Sequence, residues 1–132
     1  MPEFMLDTNI CIYVMTNRMP QLSERFTRAS SRVCISTITL AELHYGAEKS
    51  QRKAINTLAI ERFLEGIDVL PFSPEAAAHY GQIRAGLERA GAPASSPDML
   101  IGAHARSEGL TLITNNRREF DRIPDLRVEN WV

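Results

Sequence analysis

Short apolar runs alternate along this chain with longer stretches of helical periodicity, and that alternation limits the fold more than any other feature. Phe4-Met5-Leu6, Val33-Cys34-Ile35-Ser36, Asp68-Val69-Leu70-Pro71-Phe72, Leu110-Thr111-Leu112-Ile113-Thr114 and a stretch near Leu126 to Val128 read as strands. Between them lie helical segments: Thr8 through Met15, Gln21 to Arg32, Thr37 to Lys49, Arg52 to Gly66, Glu75 to Ala90, Met99 to Arg106 and a short one around Arg117 to Arg122. Pro74 suits the first position of its helix, where a missing amide proton costs nothing. Strands that alternate with helices are joined by right-handed crossovers, which gives a parallel sheet covered on both faces. The predicted fold is α/β, with a central sheet of about five strands.

The chain's 132 residues suffice for a single domain with one substantial core, and the expected domain spans residues 1–132. Hydrophobic residues at 44% and charged residues at 23% argue against disorder. Because 15 Lys and Arg face 16 Asp and Glu, a nucleic acid would have to be held by a local basic patch. The two cysteines, Cys11 and Cys34, each lie beside isoleucine in apolar segments, as small core residues in a reducing cytosol do. No run has the make-up of a signal peptide or the length of a membrane span, so a cytoplasmic location is expected, with no membrane partner.

Three acids stand out by position. Asp7 ends the first apolar run, Glu42 lies in the helix after the second, and Asp98 opens the helix after the Gly91 to Pro97 loop. Each has a local explanation. Asp7 can cap the helix that starts at Thr8, Thr39 to Glu42 fits a capping box, and Asp98 is a first-turn acid favoured by the helix dipole. All three, however, fall at or just beyond the carboxyl edge of the sheet, entering the first turn of a helix. In open parallel sheets that edge is where ligands bind. Two unit charges at about 4 Å repel by about 4 kcal/mol at an effective dielectric of about 20, so converging carboxylates call for a cation or a raised pKa. An all-oxygen donor set suits Mg²⁺ or Mn²⁺. His44, His79 and His104 are too dispersed to form a standard zinc ligand pair.

These acids sit in a longer ordered pattern: Met5-Leu6-Asp7-Thr8-Asn9, Ala41-Glu42-Leu43 leading to Tyr45-Gly46-Ala47, Pro97-Asp98, Ile101-Gly102-Ala103-His104-Ala105, Thr114-Asn115-Asn116 with Glu119-Phe120, and Trp131. Across essentially its whole length the chain resembles the PIN-domain ribonucleases, and more closely the VapC toxins of bacterial type II toxin–antitoxin systems. The resemblance implies a PIN-like fold and Mg²⁺-dependent hydrolysis of RNA. Asp7, Glu42 and Asp98 match the catalytic, metal-binding acids, and Thr8, Asn9 and Thr114 match polar residues that orient them. The family's fourth acid falls at Asn116, which brings no charge; Glu119, one helical turn on, is the alternative.

A second departure is Ala94-Ser95-Ser96-Pro97, in place of a Pro-Ile-Gly pattern. The resemblance further implies structured RNA as substrate, in its nearest relatives the anticodon stem-loop of initiator tRNA, with translation as the process inhibited. It also implies a homodimer, higher toxin–antitoxin assembly, and a VapB antitoxin whose tail crosses the active site. Arg84, Arg89, Arg106, Arg117 and Arg118 are candidates for RNA backbone contacts. Two other classes compete. A catalytically silent binding module would explain Asn116 as decay of the site. A phosphoacceptor receiver expects adjacent acids after the first strand and a lysine after the last, and neither is present.

Overall fold

The first strand, β1 (Phe4–Leu6), is short because it is buried on both faces: Met5 and Leu6 are fully buried, and Asp7 ends the apolar run. In the computed structural model, which describes residues 1–93 and 95–132, the strands form one parallel sheet in the order β3-β2-β1-β4-β5. The other strands are β2 (Val33–Ser36), β3 (Asp68–Leu70), β4 (Thr111–Ile113) and β5 (Val128–Glu129). The helices between them are α1 (Thr8–Thr16), α2 (Pro20–Ala29), α3 (Thr37–Glu48), α4 (Lys53–Leu64), α5 (Pro74–Arg89), α6 (Pro97–Ser107) and α7 (Arg117–Phe120). No helix among the described residues is long and apolar enough to cross a membrane.

The period-two alternation of strand side chains divides the core in two. Met5 pairs in register with Cys34 and Leu112, and these three pack with Ile83 of α5 and Met99, Ile101 and Ala105 of α6. On the other face Leu6, Ile35 and Ile113 meet Ile10, Leu22, Leu43 and Ile60 from α1 to α4. The expected α/β architecture is therefore the observed one, with helices on both faces.

Differences are confined to element ends. Helix α2 stops at Ala29, and Ser30–Arg32 tighten into a 3₁₀ turn. Strand β3 stops at Leu70 because Pro71 has no amide proton for the ladder. Helix α7 ends at Phe120, and Arg122 lies beyond it as the chain turns towards Pro124. The last strand begins at Val128, after Asp125 turns the chain with φ 64°, so Leu126 lies outside the ladder. Of the loop before Asp98, Ala94 lies outside the described residues.

The chain runs from β1 outward through β2 to β3, then crosses back to place β4 on the other side of β1. Reversal of strand order opens a crevice between the carboxyl ends of β1 and β4.

Candidate active site

Asp7 lies in that crevice. Its backbone amide donates to Ile113 O at 3.0 Å, continuing the β1–β4 ladder by one residue, and the side chain is only 3% exposed. Oδ1 accepts from Ile10 N at 2.9 Å, so Asp7 does cap α1. Capping and site membership are thus compatible, since the cap uses one carboxylate oxygen. Burial pushes the Asp7 carboxyl above the ordinary aspartate value. Hydrogen bonds from the Thr114 hydroxyl and the Ile10 amide oppose that rise, while the charges of Asp98 and Glu42 add to it.

Asp98 occupies the first turn of α6, where Ser96 is the N-cap residue and Pro97 the first helical position. Burial raises its pKa too, and next in order come the charges of Glu42 and Glu119. Glu42, in α3, is reached from α1: Thr8 Oγ1 donates to Glu42 Oε1 at 2.5 Å. The capping-box alternative for Glu42 is not what forms. Helix α3 starts at Thr37, its cap is Ser36, whose Oγ accepts from Ile38 N at 3.0 Å, and Thr39 lies inside the helix with its buried hydroxyl unpaired among the described residues. Glu42 accordingly sits in the second turn of α3, not the first.

The fold thus brings Asp7, Glu42 and Asp98 into one electrostatic field from three helices. Thr8 and Thr114 join them as hydrogen-bond partners of Glu42 and Asp7. Asn9 is exposed and makes no side-chain hydrogen bond among the described residues. Asn116 is exposed as well, and what it offers inward is its backbone amide, donated to Thr114 Oγ1 at 2.9 Å. Glu119 is held by Arg122 at 2.5 Å while its charge still bears on Asp98.

The expected arginines are mostly engaged elsewhere. Arg84 donates to Tyr80 and Glu88, Arg106 to His79, Gln82 and Pro124 O, and Arg117 pairs with Asp121. Arg118 lines a cleft with Pro93, Ser95, Ser96, Glu119 and Arg122, beside the start of α6. Arg122, which sequence reasoning missed, ties this cleft together by donating to Pro93 O and Glu119 O. Its spacing of three from Glu119 on a helical stretch was the signal that could have found it.

Among the described residues no three His, Cys, Asp or Glu side chains are drawn together as a ready ligand cage. The donor set itself fits a hard divalent cation. It is all oxygen, it is partly or wholly buried, and Asp7 and Asp98 are pushed towards protonation by burial first and by neighbouring carboxylates second, a cost that a cation offsets.

A family profile described as the PIN domain matches residues 4–126. A protein of Shigella flexneri named tRNA(fMet)-specific endonuclease VapC is 51% identical over 131 residues, covering 99% of each chain. Ribonuclease VapC2 of Haemophilus influenzae is 48% identical over 132 residues, covering 100% of each. A chain of the DNA-bound VapBC crystal structure from Salmonella typhimurium superposes with a TM-score of 0.95 at 49% identity, again covering 100% of each. Fold and full-length similarity agree, and the chain belongs to the PIN-domain family, among its VapC ribonucleases.

Proposed function

We propose that this protein is the toxin of a VapBC-type pair, an Mg²⁺- or Mn²⁺-dependent endoribonuclease. Its substrate is initiator tRNA, cut in the anticodon stem-loop, which stops translation in the cytoplasm. The observation that carries the reading is that Asp7 and Asp98 are both buried at the β1–β4 crevice within reach of the Glu42 charge, so that burial first and neighbouring carboxylates second raise the cost of their charges. The similarity to relatives named as tRNA(fMet)-specific endonucleases supports the substrate.

Asp7, Asp98 and Glu42 are the residues that hold the cation. When bound, such an ion polarises a phosphate oxygen and offsets charge that develops in the transition state. Thr114 orients the Asp7 carboxylate and Thr8 that of Glu42, so two of the three acids enter the reaction already aimed. Glu119 supplies the charge that Asn116 lacks, and Asn9 and Asn116, whose side chains are exposed, support the site from its rim, Asn116 through its backbone amide to Thr114 Oγ1. Arg118 and Arg122 flank the cleft by Asp98 and suit the phosphates on either side of the cut.

A VapB-type antitoxin fits the apolar groove between α1, α3 and α4. Ile12, Met15, Leu43, Ala47 and Ile60 line it, and Glu42 stands at its edge, so a segment lying there leads to the acids. Neighbouring structures are VapBC complexes, which supports this partner; a homodimer within a larger toxin–antitoxin assembly is part of the same proposal.

The test is cleavage of initiator tRNA and total RNA by the partner-free protein, with Mg²⁺, with chelator, and for Asp7→Asn. Loss of cleavage in chelator and a fall of about 100-fold or more for Asp7→Asn are expected. Cleavage that persists through both would remove the metal mechanism, and no cleavage by the partner-free wild type would leave a silent binding module.

A further inference from the structure

Helix α6 carries a histidine in its buried face whose chemistry none of the acids uses. His104 is fully buried, two turns after Asp98, among Met99, Ile101, Ala103 and Ala105. Its Nδ1 lies 2.8 Å from Ser36 Oγ, a hydrogen bond between residues 68 apart. Nε2 has no partner among the described residues. A leucine of similar size would pack there without an orphaned ring nitrogen, so stability alone does not account for an imidazole.

The partner of that imidazole is the cap of α3. Ser36 Oγ already accepts from Ile38 N, so one hydroxyl both starts the helix that bears Glu42 and receives the side chain of the helix that bears Asp98. The ring's other contacts strengthen the joint. Phe72 meets His104 edge to face with centroids 5.5 Å apart, and Phe72 N donates to Thr37 Oγ1 at 3.1 Å, again at the start of α3. Helices α3 and α6 touch, and Glu42 is the charge that most perturbs Asp98. A small slide of α6 along α3 would therefore change the separation of the two carboxylates.

We infer that His104 is a positioning residue: its hydrogen bond to Ser36 locks α6 to the start of α3 and so sets the spacing of Asp98 and Glu42 on which cation binding depends. The imidazole is neutral in this role, since burial lowers its pKa against the opposing charge of Glu108, and among the described residues the ring's polar contact is to a hydroxyl. It touches neither substrate nor cation. The inference rests on the metal-binding reading of the acids.

The experiment is titration of the RNA-free, partner-free protein with Mn²⁺, followed by electron paramagnetic resonance or calorimetry, alongside thermal melts in chelator. His104→Leu fills the site but cannot bond Ser36, and is expected to weaken Mn²⁺ binding about tenfold while the chelated protein melts no lower than wild type. His104→Asn, whose amide can occupy the place of Nδ1, is expected to restore most of the affinity. Ser36→Gly keeps a tolerated cap residue while removing the hydroxyl, so it should mimic His104→Leu, and the double variant should bind no more weakly than either single one. Wild-type Mn²⁺ affinity in His104→Leu and Ser36→Gly, or additive losses in the double variant, would overturn the inference. Should His104→Leu fail to fold, Ser36→Gly and His104→Asn still decide it by the same titration. Asp98→Asn is the control: if it binds Mn²⁺ like wild type, the metal-binding reading itself fails.

Discussion

Asp7 shows how one side chain can satisfy a local rule and a global one together. Its Oδ1 caps α1, as any aspartate before a helix would, while its burial beside Asp98 and Glu42 raises the cost of its charge. The sign of the stability effect follows. A carboxyl whose folded pKa lies above the ordinary 3.8 leaves the folded state unpenalised below that pH, and stability is lost as pH rises through the folded value. Asp98 has the same sign. The chelated wild type should thus lose stability from about pH 4 upward, and Asp7→Asn, which keeps an oxygen for the Ile10 amide, should lose less. Melting curves in chelator between acid and neutral pH check this: Asp7→Asn is expected to melt a few degrees higher than wild type near neutrality. A variant that melts lower there would mark Asp7 as first of all a cap.

Helix α6 is the element on which site and core meet. Its first turn presents Asp98, and from Met99 to Ala105 it is almost wholly buried, which is why a stretch of modest amphipathicity is still held firmly. Gly102 lets it approach α7 and the turn beyond. A Cβ there would stand 2.5 Å from Ile123 Cδ1 and 3.4 Å from Phe120 Cδ1, both in the core. Gly102→Ala gains helix propensity but must displace Ile123, and we expect a net loss of about 1–2 kcal/mol in denaturant unfolding. A variant as stable as wild type would mean that Ile123 rotates aside freely. The strands were legible by contrast, because each is a brief apolar run closed by a polar residue or a proline. Their ends were less so: the start of β5 depends on the left-handed turn at Asp125, which no periodicity announces.

Across the whole molecule, the two faces of the sheet do different work. One is sealed by α5 and α6. The other, beneath α1 to α4, leaves Ile12, Ile55 and Leu58 at 39%, 62% and 46% exposure along neighbouring grooves. If the groove between α1, α3 and α4 is the antitoxin surface, Ile12→Glu should leave RNA cleavage intact and weaken neutralisation by a VapB-type antitoxin about tenfold or more, measured by titrating antitoxin into the cleavage reaction. Unchanged neutralisation would place the partner elsewhere. The sequence alone determined the alternation of strand and helix, and with it the parallel sheet, because burial on both faces forces short apolar runs and crossover helices. It also marked Asp7 and Asp98, since a charge at the end of a buried run or the start of a helix is locally conspicuous, whereas Glu42, in the second turn of α3, stood out by its place in the ordered acidic pattern. Only the tertiary structure decided which partner each acid has: that Thr8 rather than a capping box engages Glu42, that Arg122 holds Glu119, and that His104 reaches Ser36. Two of those pairings join residues 34 and 68 apart in the chain, and their energies depend on separations that exist only once the helices have packed on the sheet; Arg122 and Glu119 are near neighbours, and what the fold adds there is the Pro93 carbonyl that Arg122 also reaches.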